Sequence, residues 1–205
     1  MDTDLFVAWF EETARLVRRD RDHLTRLDAA IGDADHGTNL DRGLTEVCKA
    51  LTEWPPESPV QVLTSAGTAL IRRVGGASGP LYGSVFRQMG KALRSPVTLA
   101  GFSAAFDEGV VAVERLGKAA PGDKTMVDAL APASRALALA VRDGVGVREA
   151  FEQAARAAAE GAKATIPMQA RKGRASYLGE RSIGHEDPGA ASSALFMAAL
   201  ANVAS

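Results

Sequence analysis

Apolar residues recur three and four positions apart along most of the chain, in blocks divided by short Gly-, Pro- and Asp-containing breaks, and this predicts an almost wholly helical protein. A first helix, capped by Thr3 or Asp4, carries Phe6, Phe10, Val17, Leu24 and Leu27 at helical spacing and leads to a corner at Asp28. A second follows His36 with the stripe Leu40, Leu44, Val47 and Leu51, and ends before Trp54-Pro55-Pro56. Ser58-Pro59 reads as N-cap and first turn of a third, running through Val62, Ala66, Leu70 and Val74 to Gly75-Gly76. Ala77-Ser78-Gly79-Pro80 opens a fourth, through about Leu93. The fifth runs from Thr98 towards Leu116, with Phe102, Phe106, Val110 and Val113 inward and Gly117 as its stop. Asp123 is placed to cap a sixth, which carries Met126, Val127, Leu130, Leu137 and Val141, with Pro132 a site for a kink. Helix propensity alone supports a seventh from Val147 to about Ala164, and Asp187-Pro188-Gly189 opens a last one through Leu195, Ala199 and Val203. About eight helices with mostly short connections, and no alternating β pattern, predict an all-α, antiparallel up-and-down assembly.

Composition narrows the class. The 205 residues are 46% hydrophobic and 24% charged, which suits one soluble domain spanning 1–205. Lys and Arg total 24 against 25 Asp and Glu, a net charge of -1, so no basic field exists to hold nucleic acid. Cys48 is the single cysteine, which excludes an internal disulfide and points to a buried thiol in a reducing compartment. Asp2, Asp4, Glu11 and Glu12 break up the first apolar stretch, so a signal peptide is not expected, nor is a membrane span; the expected location is the cytoplasm.

The chemistry gathers at Leu27–Gly37, which places Asp28, Asp33 and Asp35 within a turn's reach and follows them with His36. Gly32 and Gly37 bracket the loop, and an extended loop lets Asp33 and Asp35 point the same way. Crowded carboxylates repel unless a hard cation holds them. The same residues also suit a capped turn. An EF-hand is excluded because its later acidic ligands are missing after Gly37, and Mg²⁺, satisfied by a few carboxylates plus phosphate oxygens, fits better than Ca²⁺ or Zn²⁺. Gly37-Thr38-Asn39 then opens a helix whose free N–H groups and positive dipole end would face a phosphate held by the metal.

Small-residue turns recur on other connections: Gly75–Gly79, Gly117-Lys118, Gly122–Lys124 and Asp187–Ala190. In an up-and-down bundle alternate connections share an end, so several of these turns can share a rim with the Asp loop. There Ser78 offers a hydroxyl and Met126 a polarizable wall for an aromatic base. Arg171–Arg181 is a long loop for a compact domain, and its cations could balance phosphate charge. His185 reads as structural; His36 has the better claim through its neighbours.

Four stretches, LDAAIGDADHG, VGGASGPLYG, PGDKTM and MQARKGRASYLGERSIGHEDPGA, together resemble the nucleotide-binding (L) subunits of bacterial dihydroxyacetone kinases, over essentially the whole chain. The resemblance implies a closed barrel of eight antiparallel helices with ADP and two Mg²⁺ at one end. It implies Asp28, Asp33 and Asp35 as metal ligands, and nucleotide contacts at His36, Gly37, Thr38, Asn39, Ala77, Ser78, Gly117, Met126, Arg174, Asp187, Pro188 and Gly189. In the phosphotransferase-system branch of that family, bound ADP receives a phosphoryl group from a phosphohistidine-carrying M subunit and passes it to dihydroxyacetone on a separate K subunit. A sister branch uses free ATP, usually within a longer chain and with Cys or Thr at the position of His36. GDADHG and the 205-residue length both favour the first branch. A domain of a fatty-acid kinase and a nucleotide-bound regulatory subunit are the other classes compatible with the resemblance.

Overall fold

The computed structural model describes residues 1–204, which form eight α-helices and one 3-10 segment, with no strand among them. The helices are α1 (Thr3–Ile31), α2 (His36–Glu53), α3 (Pro59–Arg73), α4 (Ser78–Ala92), α5 (Leu99–Gly117), α6 (Val127–Arg142), α7 (Val147–Ala164) and α8 (Pro188–Val203). Each packs against its neighbours in the chain, and α8 packs on both α7 and α1, so the ring closes as an up-and-down barrel. Connections therefore alternate between two ends. Residues 32–35, 74–77, 118–126 and 165–187 lie at one; 54–58, 93–98 and 143–146 lie at the other, with the start of α1 and the end of α8. The N-terminal ammonium donates to the carbonyl of Val97 (3.1 Å), within that second group.

Local chemistry sets most of the boundaries. Ser58, Thr98 and Asp187 each accept a backbone N–H of the turn they open, from Gln61 (3.3 Å), Gly101 (3.1 Å) and Ala190 (2.7 Å). Three expectations need correction. Asp2, not Thr3 or Asp4, caps α1, its carboxylate accepting from Leu5 N (3.0 Å). α5 ends at Gly117 as expected, and Lys118 just beyond it takes the left-handed conformation (φ 49°). Asp123 does not cap α6, because its carboxylate closes its own turn on Ala120 N (2.9 Å); Asp128, inside the first turn, reaches back to Gly122 N and Thr125 N (2.5 and 2.8 Å). The buried line of α8 passes through Phe196, Met197, Ala199 and Leu200, leaving Leu195 and Val203 half-buried. That helix has no charged residue and meets α1, α6 and α7, so its sequence marks no single inward face. α6 runs through Pro132 as one element.

Aromatic residues make up only 5% of the chain, yet all seven phenylalanines are buried, and they gather with Trp9 and Tyr82 along the barrel axis. Tyr82 stacks on Phe196 (4.7 Å between ring centroids), Phe196 meets Phe86 (5.4 Å), and Phe86 meets Trp9 and Phe10 (5.5 and 4.8 Å). Trp9 Nε1 donates to the carbonyl of Phe196 (2.7 Å), tying α1 to α8 where the ring closes. Cys48 is half-buried rather than buried, its thiol 3.8 Å from the carbonyl of Phe10 and pushed up in pKa by desolvation. No helix of the described residues is long and apolar enough to cross a membrane.

Candidate functional site

A cavity of about 410 Å³ opens at the end of the barrel that carries the four connections 32–35, 74–77, 118–126 and 165–187. Each contributes to the wall: Gly32, Asp33 and Asp35; Gly76 and Ala77; Ala119 and Lys124 to Met126; and Lys172 to Ala175 with Asp187. The volume lies in the range of small-molecule sites. Tyr82, Leu81, Val113, Leu116 and Met126 supply apolar surface, while Asp28, Asp33, Asp35, Lys124, Arg174 and Asp187 supply charge. The three non-glycine residues with left-handed backbone, Ala34, Lys118 and Lys124, all lie on these connections, which is where backbone strain is ordinarily kept for a purpose.

Asp28, Asp33 and Asp35 each bring a carboxylate oxygen within 4.8 Å of the others. Hard oxygen donors at that spacing fit Mg²⁺, which takes few protein ligands and completes its shell with water and phosphate. The local fold explains how Asp28 is held. It sits in the last turn of α1, 7% exposed, and its Oδ2 accepts the N–H groups of Asp35 (2.8 Å) and His36 (3.1 Å). Two of the donors at the start of α2 are therefore already used by Asp28 rather than left for a phosphate, and Asp35 itself makes no capping bond. Gly32 is required beside it: a Cβ there would stand 2.0 Å from Asp28 Oδ1. Across the mouth, Arg174 Nη1 pairs with Asp33 Oδ2 at 3.0 Å.

His36 is buried beneath the carboxylates, with Nε2 2.8 Å from Ser192 Oγ and Nδ1 3.0 Å from Ser78 Oγ. Burial lowers its pKa, opposed by Asp28, Asp35 and Asp33, so the ring is neutral and places one donor and one acceptor against the two hydroxyls. Ser192 also bonds the Tyr82 hydroxyl (2.7 Å), which Ser193 bonds at 2.9 Å. This network links α2, α4 and α8 under the cavity floor.

Of the residues singled out from sequence, Asp28, Asp33, Asp35, His36, Ala77, Ser78, Gly117, Met126, Arg174, Asp187, Pro188 and Gly189 line the one cavity. Gly37, Thr38 and Asn39 stand behind it. Gly37 is packed on α1, where a Cβ would meet the Arg21 carbonyl oxygen at 2.1 Å; Thr38 is exposed; the Asn39 amide oxygen accepts from Arg42 (2.8 Å). Sequence reasoning missed Tyr82, Ser192, Asp128 and Lys124. Tyr82 lies in VGGASGPLYG and Lys124 in PGDKTM, but neither stretch marks a task for that side chain, and Ser192 sits with Ser193 in a run of small residues with no local signal. His185 contributes only its carbonyl, to Lys124.

Asp187 is 8% exposed, and desolvation raises its carboxyl to about 7, helped by the charge of Asp128 and opposed by the N–H groups of Ala190 and Gly189 and by Lys124. Burial lowers the pKa of Lys124, opposed by Asp187 and Asp128.

Comparison with known proteins places this geometry. A family model described as the DAK2 domain matches residues 30–202. The chain is 43% identical over 197 residues to the Escherichia coli K12 protein named PEP-dependent dihydroxyacetone kinase, ADP-binding subunit DhaL, covering 95% of this chain and 94% of that one. It is 41% identical over 200 residues to the ADP-binding subunit DhaL of PEP-dependent dihydroxyacetone kinase 1 from Listeria innocua, covering 97% of this chain and 96% of that one. Human triokinase/FMN cyclase is 37% identical over 187 residues, which are 89% of this chain and 32% of that longer one. Among solved structures, the dihydroxyacetone kinase of C. freundii in complex with AMP-PNP and Mg²⁺ superposes with a TM-score of 0.77 at 26% identity, over 97% of this chain and 34% of that one.

Proposed function

The chain belongs to the DAK2-domain family, and on that premise we propose that it is the ADP-binding subunit of a dihydroxyacetone kinase supplied by a phosphohistidine protein. Residues 1–205 act as one nucleotide- and Mg²⁺-binding unit in the cytoplasm. The observation that carries this reading is the convergence of three carboxylates, Arg174 and an apolar wall at one cavity. The similarity to PEP-dependent ADP-binding subunits over nearly their full length supports the branch.

Asp28, Asp33 and Asp35 would hold two Mg²⁺, which when bound would neutralise phosphate charge. Met126, Leu81 and Leu116 offer the adenine an apolar wall, and Ser78 and the Asp187–Gly189 turn offer polar contacts. ADP held there would supply a phosphate oxygen that exchanges the N–P bond of the partner's phosphohistidine for an O–P bond, and the phosphoryl group would then pass to a hydroxyl oxygen of dihydroxyacetone on the K subunit, the hydroxyl proton leaving to that partner or to water. Arg174 compensates charge on the transferring group, work for which its position opposite Asp33 suits it. His36, buried and neutral, positions Ser78 and the start of α2 rather than taking part in proton transfer.

The test is reconstitution. Purified chain with K and M subunits should phosphorylate dihydroxyacetone when phosphoenolpyruvate and the general phosphotransferase proteins are supplied, and should do so without free ATP. Transfer driven by ATP alone would favour the sister branch, a reading supported by the similarity to triokinase/FMN cyclase.

A further inference from the structure

The 165–187 connection is a loop with a closed neck. Gly184 N donates to the Ile166 carbonyl (2.8 Å) and Asp187 N to Thr165 Oγ1 (2.9 Å), so its two ends are held side by side. Between them enters a side chain from another connection. Lys124 is 1% exposed, and its ammonium donates to the carbonyl of Thr165 (2.7 Å) and to that of His185. A backbone bond from Arg171 N to the Asp123 carbonyl (3.0 Å) joins the same two connections beside it.

A fully buried lysine is costly, and packing alone would be served as well by methionine. The charge is accounted for by what it meets: two carbonyls at the neck, with the carboxylates of Asp187 and Asp128 close enough to act on it electrostatically. The backbone also accepts a left-handed conformation at Lys124 (φ 62°) to deliver the side chain there. Further out, the loop rests on a small apolar cluster of Ile31, Ala170 and Ala175 and carries Arg174 across to Asp33. Lys124 also lines the cavity.

Resting on the nucleotide reading above, we propose that Lys124 is a positioning residue for phosphoryl transfer. Its ammonium, bonded to the carbonyls at both ends of the 165–187 loop, holds that loop shut so that Arg174 stands on the wall facing the carboxylates. Lys124 acts on the phosphates through the loop and not through its own charge.

The experiment compares wild type, Lys124→Met, Arg174→Ala and the double variant. Without ligand, trypsin should cut Lys124→Met within the loop, after Arg171, Lys172, Arg174 or Arg181, at least about tenfold faster than wild type, with cutting inside the helices unchanged. With Mg²⁺-ADP in a calorimeter, Lys124→Met should weaken binding about tenfold in the wild-type background but less than about twofold in the Arg174→Ala background, because the loop then no longer carries the guanidinium. An equal loss in both backgrounds overturns the proposal, as does unchanged loop cleavage. A Lys124→Met chain that does not fold also overturns it, since the lysine would then be a requirement of the fold. Wild type that binds no Mg²⁺-ADP would sink the nucleotide reading, while the cleavage arm, which needs no ligand, still judges whether Lys124 holds the loop.

Discussion

Replacing Gly32 by alanine should damage the proposed metal site without replacing any of its three carboxylates. The new Cβ would lie 2.0 Å from Asp28 Oδ1 and 3.0 Å from the Asp28 carbonyl oxygen, against the 3.4 Å of an ordinary contact, so the carboxylate must move by about 1.4 Å. Its Oδ2 then loses the N–H groups of Asp35 and His36, held at 2.8 and 3.1 Å. Hydrogen bonds to a charged group are worth about 1.5–3 kcal/mol each, and partial rehydration of those N–H groups returns some of that, leaving a loss of roughly 2–4 kcal/mol. For a chain of this length each kcal/mol moves the melting temperature by about 2–4 °C, so the apo variant should melt roughly 4–16 °C lower. The displaced carboxylate should also weaken Mg²⁺-dependent ADP binding by about two orders of magnitude or more, because the remaining pair cannot complete the ion's shell. Differential scanning calorimetry and isothermal titration read the two effects. A variant melting within about 2 °C of wild type, with ADP affinity within threefold, would refute both the capping role of Asp28 and its place in the metal site.

Asp33→Asn and Asp35→Asn should each lose metal-dependent ADP retention, and chelation of the wild type should lower its melting temperature through loss of a ligand bound only by the folded state; tight ADP binding in both variants that still vanishes on chelation would place the metal elsewhere. Arg174→Ala should leave apo stability within about 1 kcal/mol, since Arg174 is 64% exposed in its single ion pair, while slowing transfer at saturating partner on the order of 10²-fold. The same variant should bind Mn²⁺ without nucleotide slightly more tightly, by paramagnetic resonance, because a competing cation has left Asp33. For pH, the carboxyl of Asp187 is raised to about 7 in the folded apo chain, so its protonated form favours folding. That contribution is complete below about pH 4, is lost as pH rises through 7, and is bounded by about 4 kcal/mol at 1.36 kcal/mol per unit. Urea unfolding from pH 5 to 8 should show Asp187→Asn abolishing this downward slope, and an unchanged slope would refute the assignment. Finally, radiolabelled ADP preloaded on the chain should stay bound through many turnovers driven by phosphoenolpyruvate; label escaping at the turnover rate, with stimulation by free ATP, would place the protein in the ATP-using branch.

The sequence made the barrel legible wherever a helix has two unlike faces or a polar cap. Leu40, Leu44, Val47 and Leu51 mark the inner side of α2, and Ser58, Thr98 and Asp187 announce three starts. It failed where side chains compete for the same backbone groups. Asp123 and Asp128 both suit the start of α6, and only the folded turn decides that Asp128 takes Gly122 N and Thr125 N. Uncharged α8 hid its register for want of a charged face. At the site, the carboxylates were legible because three acids close together in sequence need a reason. Lys124 was not, because what makes it unusual is burial between two carbonyls distant in sequence, and no local pattern encodes that.

The start of α1 and the end of α8 lie at the end of the barrel remote from the cavity, the first residue held to Val97. Any domain joined there starts behind the chemistry. At 1.5 Å per residue the 16 residues of α8 separate a fusion point from the mouth by about 24 Å, which an extended linker of roughly seven or eight residues spans only in a straight line along the wall. A tethered sugar-binding module must therefore either be large enough to reach around the barrel or serve the mouth of a second chain. Partners that arrive as separate subunits approach the open face directly, and a solubility tag or fluorophore at either terminus leaves that approach clear.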